Sequence, residues 1–128
     1  MKRMSLLLLG CLLLTACGSA NPAVSPAGSG QEHHHKPSLD VKLDISGRQV
    51  TVRVTTDMTI SAKHYGEARK DGEGHIHMYL DNGEKIGVTQ EEQVFKDLVP
   101  GPHVLKVSLH NNDHTPYDVN KTINFDIK

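Results

Sequence analysis

Gly74-His75-Ile76-His77-Met78-Tyr79-Leu80-Asp81-Asn82-Gly83-Glu84 reads as an alternating strand closed by a tight-turn signal, and this reading decides the fold class. Successive side chains of a strand point to opposite faces, so Ile76, Met78 and Leu80 share one face and His75, His77 and Tyr79 the other. The turn needs left-handed backbone, which Asp, Asn and Gly tolerate. Lys85 to Thr89 is then expected as the returning strand.

The same two-residue period recurs on either side. Leu39, Val41, Leu43 and Ile45 alternate with polar residues, Ser46-Gly47 turns the chain, and Val50, Val52 and Val54 form a second run whose pattern can be followed through Met58, Ile60 and Ala62. Tyr65 to Gly74 is polar, carries three glycines and reads as a long loop. Downstream come an apolar segment from Val94 to Leu98, the turn Pro100-Gly101-Pro102, and an inward face of Leu105, Val107 and Leu109. Asn111 to Asp118 reads as a polar loop, and Ile123, Phe125 and Ile127 as the last strand. About seven short strands without helical periodicity predict an all-β fold, an immunoglobulin-like antiparallel β-sandwich, with a small barrel as the alternative.

The chain opens differently. Lys2 and Arg3 precede an apolar run from Leu6 to Leu14, which has the form of an export signal. Leu14-Thr15-Ala16-Cys17 resembles the cleavage site of bacterial lipoproteins. That resemblance implies cleavage before Cys17, lipidation of Cys17 and attachment to a bacterial membrane from the extracytoplasmic side. Residues 1–16 are therefore expected to be a signal peptide, 17–37 a lipidated flexible tether rich in Ser, Gly, Ala and Pro, and 38–128 the β-sandwich domain. The chain has two cysteines. Cys11 would leave with the signal and Cys17 would carry lipid, which leaves no pair for a disulfide. The formal net charge is −1 with no basic block, so nucleic acid is not an electrostatic partner.

Histidine is the outlier, with nine residues, all after the expected cleavage site. If the strand from His75 is antiparallel to the strand from His103, as the third and sixth strands of such sandwiches are, His75 and His77 meet His110 and the loop holding Asp113 and His114. Strand parity turns His75, His77 and His110 outward together, with Met78 in the core. Side chains at i and i+2 lie roughly 6 to 7 Å apart, which lets two imidazoles reach one ion. Neutral imidazole binds copper and zinc, so His75, His77, His110 and His114 are the candidate ligands, with Asp113 as a weaker fifth. Tyr79, Tyr117, Asn111 and Asn112 are candidates to orient the rings. His103 falls at the opposite end and reads as structural, His64 as a surface or edge residue, and the His33-His34-His35 tract as solvated tether with some capacity for metal.

The blocks from Gly72-Glu73-Gly74-His75-Ile76-His77 through Pro100-Gly101-Pro102-His103 to Asn112-Asp113-His114 resemble a group of small bacterial exported domains with Gly-x-His-x-His, Pro-Gly-x-His and Asn-Asp-His in that order. The resemblance implies an all-β exported domain, often lipid-anchored, and brings no activity with it. A weaker similarity to periplasmic copper-resistance carriers rests on export, the sandwich and Asp-His near the last loop. The expected function is extracytoplasmic binding of copper or zinc for delivery, buffering or resistance, with a metal-delivery or envelope protein as partner. The alternative is a non-catalytic surface module binding a protein or cell-wall polymer through its loops. No nucleophile elbow, phosphate loop or paired-carboxylate signature is present, so an enzyme is not expected.

Overall fold

The computed structural model describes residues 35–128. The expected signal peptide, Cys17, His33, His34 and the tether before residue 35 lie outside the described residues. Glu32–Lys128 form one compact unit with its own apolar core.

Eight strands follow in order: β1 Asp40–Ser46, β2 Gln49–Thr55, β3 Thr59–Ile60, β4 Glu73–Leu80, β5 Ile86–Val88, β6 Glu92–Phe95, β7 Gly101–Asn111 and β8 Pro116–Ile127. They form two sheets, β1-β2-β6 and β3-β4-β7-β8, with β5 also paired to β4. Val41, Val50, Val52 and Val54 from the first sheet and Ile76, Met78, Leu105, Val107, Leu109, Phe125 and Ile127 from the second make one buried core. The expected β-sandwich is therefore observed, and the barrel is not. Leu80 O accepts from Gly83 N at 2.8 Å, and Asp81 and Asn82 have φ of 52° and 56°, so the turn after β4 is the left-handed type anticipated from Asp-Asn-Gly.

Two boundaries differ from the sequence reading. The run after Val54 does not prolong β2. Instead Asp57 accepts hydrogen bonds from Ser38 N (2.6 Å) and Ser38 Oγ (3.0 Å), the chain bends, and Thr59–Ile60 pair in parallel with Glu73–Gly74 of the other sheet. Met58 stays buried because the chain crosses at the edge of the core. The last strand begins at Pro116 and not near Ile123. Leu109 faces Val119 but His110 faces Pro116, so β8 carries a bulge that takes up Tyr117 and Asp118, the latter with φ of 58°. The polar residues of this stretch mask a strand that the sequence leaves as loop.

His103 is buried at the far end, stacked on Phe125 with ring centroids 5.4 Å apart. Its Nε2 donates to Val99 O and its Nδ1 to Asp81 Oδ2, each at 2.7 Å. Asp81 Oδ1 also accepts from Val104 N at 2.8 Å, so the pair ties the β4–β5 turn to β7. The Val99 carbonyl and then the Asp81 carboxylate raise the His103 pKa above its ordinary value. A raised pKa means that the folded state holds the proton more tightly than the unfolded one. The pair's contribution is thus fully present below about pH 6.5 and lost as pH rises through the folded value. Urea midpoints measured at about pH 5.5 and about pH 9 should show His103→Gln less stable than the parent at the lower pH, with the gap narrowing at the higher. A gap independent of pH would mean that His103 acts by packing alone.

Candidate metal centre

The site is assembled by one strand pairing. β4 and β7 are antiparallel neighbours in a register that sets Gly74 opposite Asn111, His75 opposite His110, and His77 opposite Ser108. Directly opposed residues share a face, so His75, His77 and His110 project together from the side of the sheet away from Ile76, Met78 and Leu109. After β7 the chain reverses through Asn112 to Thr115. His114 N donates to Asn111 O at 3.0 Å, Asn111 N to Thr115 O at 2.8 Å, and His114 takes a φ of 67°. This tight turn folds the His114 ring back over His75.

Gly74 makes the close approach possible. A Cβ there would run into the carbonyl oxygen of His110 and would sit 3.1 Å from Met58 Sδ. The strands meet at this point only because the side chain is missing.

The outward face is not exposed, which corrects the picture of a solvated His-x-His strand. His75 is fully buried and His77 is 2% exposed. The cover is the segment between β3 and β4, expected as a free polar loop. Gly66 N donates to Asn112 O at 2.8 Å, and Arg69 Nη2 donates to Thr115 Oγ1. Tyr65 lies across the cluster, its ring centroid 4.5 Å from that of His75 and 4.8 Å from that of His114. The tip of the Tyr65 side chain rests against Gly87 of β5, where a Cβ would displace it.

Three ring nitrogens converge under this cover. His75 Nε2 is 2.9 Å from His77 Nε2 and 3.0 Å from His114 Nδ1, and one nitrogen from each ring falls within 4.8 Å of the other two. A tetrahedral ion with metal–nitrogen bonds of about 2.0 to 2.1 Å sets its ligand nitrogens about 3.3 Å apart. The two short contacts would therefore open by only a few tenths of an ångström around such an ion. Protons fit less well. A neutral imidazole nitrogen offers either one N–H or one lone pair, and His75 Nε2 must divide that single position between two partners. A cation accepts all three lone pairs at once.

Burial, followed by the neighbouring imidazoles, pushes His75 down to about 4. Burial, followed by His110 and His75, pushes His77 down to about 3. Both rings are therefore neutral near pH 7 and carry the lone pairs that a metal needs. The Nδ1 atoms of His75 and His77 and the Oδ1 of Asn112 are buried without a hydrogen-bond partner among the described residues.

The remaining candidates divide. His110 stacks on His77 with centroids 3.7 Å apart, but it is not among the three convergent rings. A carbonyl can only accept, so the 3.0 Å contact of His110 Nδ1 with His114 O fixes the proton on Nδ1. His110 Nε2 is then left to accept from Ser108 Oγ at 3.0 Å. His110 thus braces the His114 turn and the His77 ring.

Asp113 does not join the cluster. Its carboxylate accepts from Thr115 N (3.0 Å) and Thr115 Oγ1 (2.5 Å) and lies 3.7 Å from Arg69 Nε. Those Thr115 contacts, ahead of Arg69, hold its pKa below the ordinary value, so its place is in shaping the turn. The four residues expected to orient the rings make no hydrogen bond to them. Asn111 Nδ2 donates to Thr115 O, Asn112 Nδ2 to a Glu73 carboxylate oxygen, and Tyr117 OH to Glu73 O, while Tyr79 lies 5.9 Å from Lys106 Nζ, measured to the ring centroid.

Sequence reasoning missed Glu73 and the part played by His64. Glu73 is buried, with Oε2 2.8 Å from Lys70 Nζ and Oε1 bonded to His64 Nδ1. Lys70 first and His64 second hold its carboxyl down to about 2. This group anchors the covering segment to the first residue of β4. The four-residue spacing of Lys70-Asp71-Gly72-Glu73 carries no distinctive signal, and His64 reads as a lone polar residue. His35, the described member of the His tract, contacts Asp57 Oδ2 through Nε2 at 2.8 Å on the surface.

No family model and no curated relative matches the chain. Among solved structures it is similar to the PKD1 domain of Vibrio anguillarum Epp, with TM-score 0.50 and 10% identity over 74% of this chain and 96% of that one. The PKD1 domain of the Vibrio cholerae metalloprotease PrtV is matched at TM-score 0.47, with 11% identity over 71% of this chain and 95% of that one. The fold is immunoglobulin-like. At such identity the first likeness supports the fold and nothing about the histidines.

The two site glycines should respond differently to alanine. Gly74→Ala meets backbone and should cost about 2 kcal/mol or more in urea unfolding. Gly87→Ala meets only the end of a side chain that is 40% exposed, so it should cost under about 1 kcal/mol while shifting the Tyr65 ring resonances. Equal losses in both would contradict the assigned packing.

Proposed function

We propose that this protein is a lipid-anchored extracytoplasmic metal-binding protein, which holds a copper or zinc ion for delivery, buffering or resistance. One observation carries the reading: ring nitrogens of His75 and His77 on β4 and of His114 on the turn after β7 converge, two of the three spacings at 2.9 and 3.0 Å and all within 4.8 Å. The lipoprotein-like Leu14-Thr15-Ala16-Cys17 supports attachment to a membrane through Cys17, and the tether supports display of the domain beside a metal-delivery or envelope protein. The role is binding and not catalysis. Glu73, the buried carboxylate next to the cluster, is committed to Lys70, His64 and Asn112 and is not free to act as a base.

Isothermal titration of the Glu32–Lys128 unit, with His33, His34 and His35 replaced by Ser to remove the tract, tests the reading. One saturable site for copper(II) or zinc(II) is expected, abolished in His75→Ala/His77→Ala and weakened more than about tenfold in His114→Ala. Asp113→Asn should leave the affinity within about threefold, because its carboxylate serves the turn. If neither metal, nor copper(I) under reducing conditions, shows a saturable site, the histidines form a polar packing cluster and the interaction-module reading takes over.

A further inference from the structure

The donor set is unusual in its charge. Three imidazoles converge at a position where His75 is fully buried and His77 nearly so, and no carboxylate is among the convergent ligands. The two acids bonded into the strand and turn that carry the site are engaged. Glu73 is paired with Lys70 at 2.8 Å and bonded to His64 and Asn112, and Asp113 is held by Thr115 and faces Arg69. The charges that the cluster feels from β7 and the β4–β5 turn are cationic, Lys106 and Lys85. Met58 and Met78 are in the core, and no cysteine is among the convergent ligands.

Charge therefore decides what such a site prefers. The cost of moving an ion from water into a low-dielectric interior grows with the square of its charge, so a dication costs about four times as much as a monocation of equal size. Zinc and copper(II) centres commonly offset that cost with a carboxylate, a thiolate or a bound hydroxide. Here no anionic side chain is placed to do so, and the flanking lysines add to the penalty.

Resting on the metal-binding reading above, we infer that the His75–His77–His114 site takes a monovalent d10 cation, copper(I), in preference to copper(II) or zinc(II). Imidazole is borderline in softness and accepts copper in either oxidation state, so the electrostatic term sets the choice. Tyr65 closes the open side with an uncharged ring, which also suits an ion of low coordination number.

The decisive measurement is the reduction potential of the copper-loaded Glu32–Lys128 unit in the His33-His34-His35→Ser background, against copper in imidazole solution at the same pH. A preference for copper(I) of about a hundredfold over that reference corresponds to a rise of about 120 mV, at 59 mV per tenfold for one electron. Silver(I), a redox-inert monocation, should bind with the same dependence on His75 and His77. Tyr65→Glu, which brings a carboxylate beside His75 and His114, should pull the potential down, whereas Tyr65→Phe should not.

A potential at or below the imidazole reference, with binding still lost in His75→Ala/His77→Ala, would overturn the preference for copper(I) and leave the metal site standing. Failure of copper(I), silver(I), copper(II) and zinc(II) alike to bind would overturn both. His114→Ala alters a partly exposed turn residue, so it reports on the site even if the double variant fails to fold.

Discussion

The antiparallel register of β4 on β7 is the constraint from which the rest of the structure follows. It sets His75 opposite His110 and His77 opposite Ser108, and the two-residue period of both strands sends Ile76, Met78, Val107 and Leu109 to the other side of the sheet. A slip of one residue would put imidazoles into the apolar core and branched side chains under the covering segment. At the histidine end both faces of the pair are buried, one in hydrocarbon and one in a polar cluster, so register is enforced from both sides there. Gly74 allows the closest contact of the two strands, next to the first histidine of the site.

The polar face in turn depends on its cover. Tyr65, Gly66 and Arg69 reach the Asn111–Thr115 turn or the rings beneath it, while His64 and Lys70 converge on Glu73 at the start of β4. Glu73 thereby joins the covering segment to the strand that carries His75 and His77, and its partners keep its charge compensated where it is buried. The cover and the site are one hydrogen-bonded assembly, and the burial of His75 and His77 is a property of that assembly rather than of the sheet.

Alternation of apolar residues makes the sandwich legible in the sequence, since Val50 to Val54, Ile76 to Leu80 and Leu105 to Leu109 turn one apolar face to the core, while the run from Leu39 buries Val41, packs Leu39 and Leu43 against the core and leaves Ile45 exposed. Adjacency of the third and sixth expected strands, combined with parity, also brings His75, His77, His110 and His114 to one place from the sequence alone. What the sequence does not carry is long-range and polar. Nothing local in Tyr65 to Gly74 says that this loop folds back over the strand, because the hydrogen bonds that hold it reach residues some forty positions away, such as Gly66 to Asn112. The same limit hides β8 before Ile123, where a bulge and a run of polar residues interrupt the two-residue period. Asp113 was drawn in by adjacency to His114. Yet the left-handed turn sends His114 toward His75, while Asp113 accepts from Thr115 and faces Arg69.

The three convergent rings are not equally constrained, and this asymmetry bears on what the site can do. His75 and His77 stand on a central strand whose ladder fixes their spacing, and stacking on His110 further restrains His77. They set a donor pair that hardly varies. His114 stands on a turn held by Asn111, Thr115 and the His110 Nδ1–H bond to its own carbonyl, and its ring is the partly exposed one. Rigid ligands fix where an ion sits, while a ligand on a turn can leave without disturbing the sheet. On the proposed reading, ligand exchange with a partner would begin at His114, and the bonds to His75 and His77 would have to break in turn before the ion is passed on. On that reading the fold separates the two requirements, fixing the ion and releasing it, onto a strand and a turn.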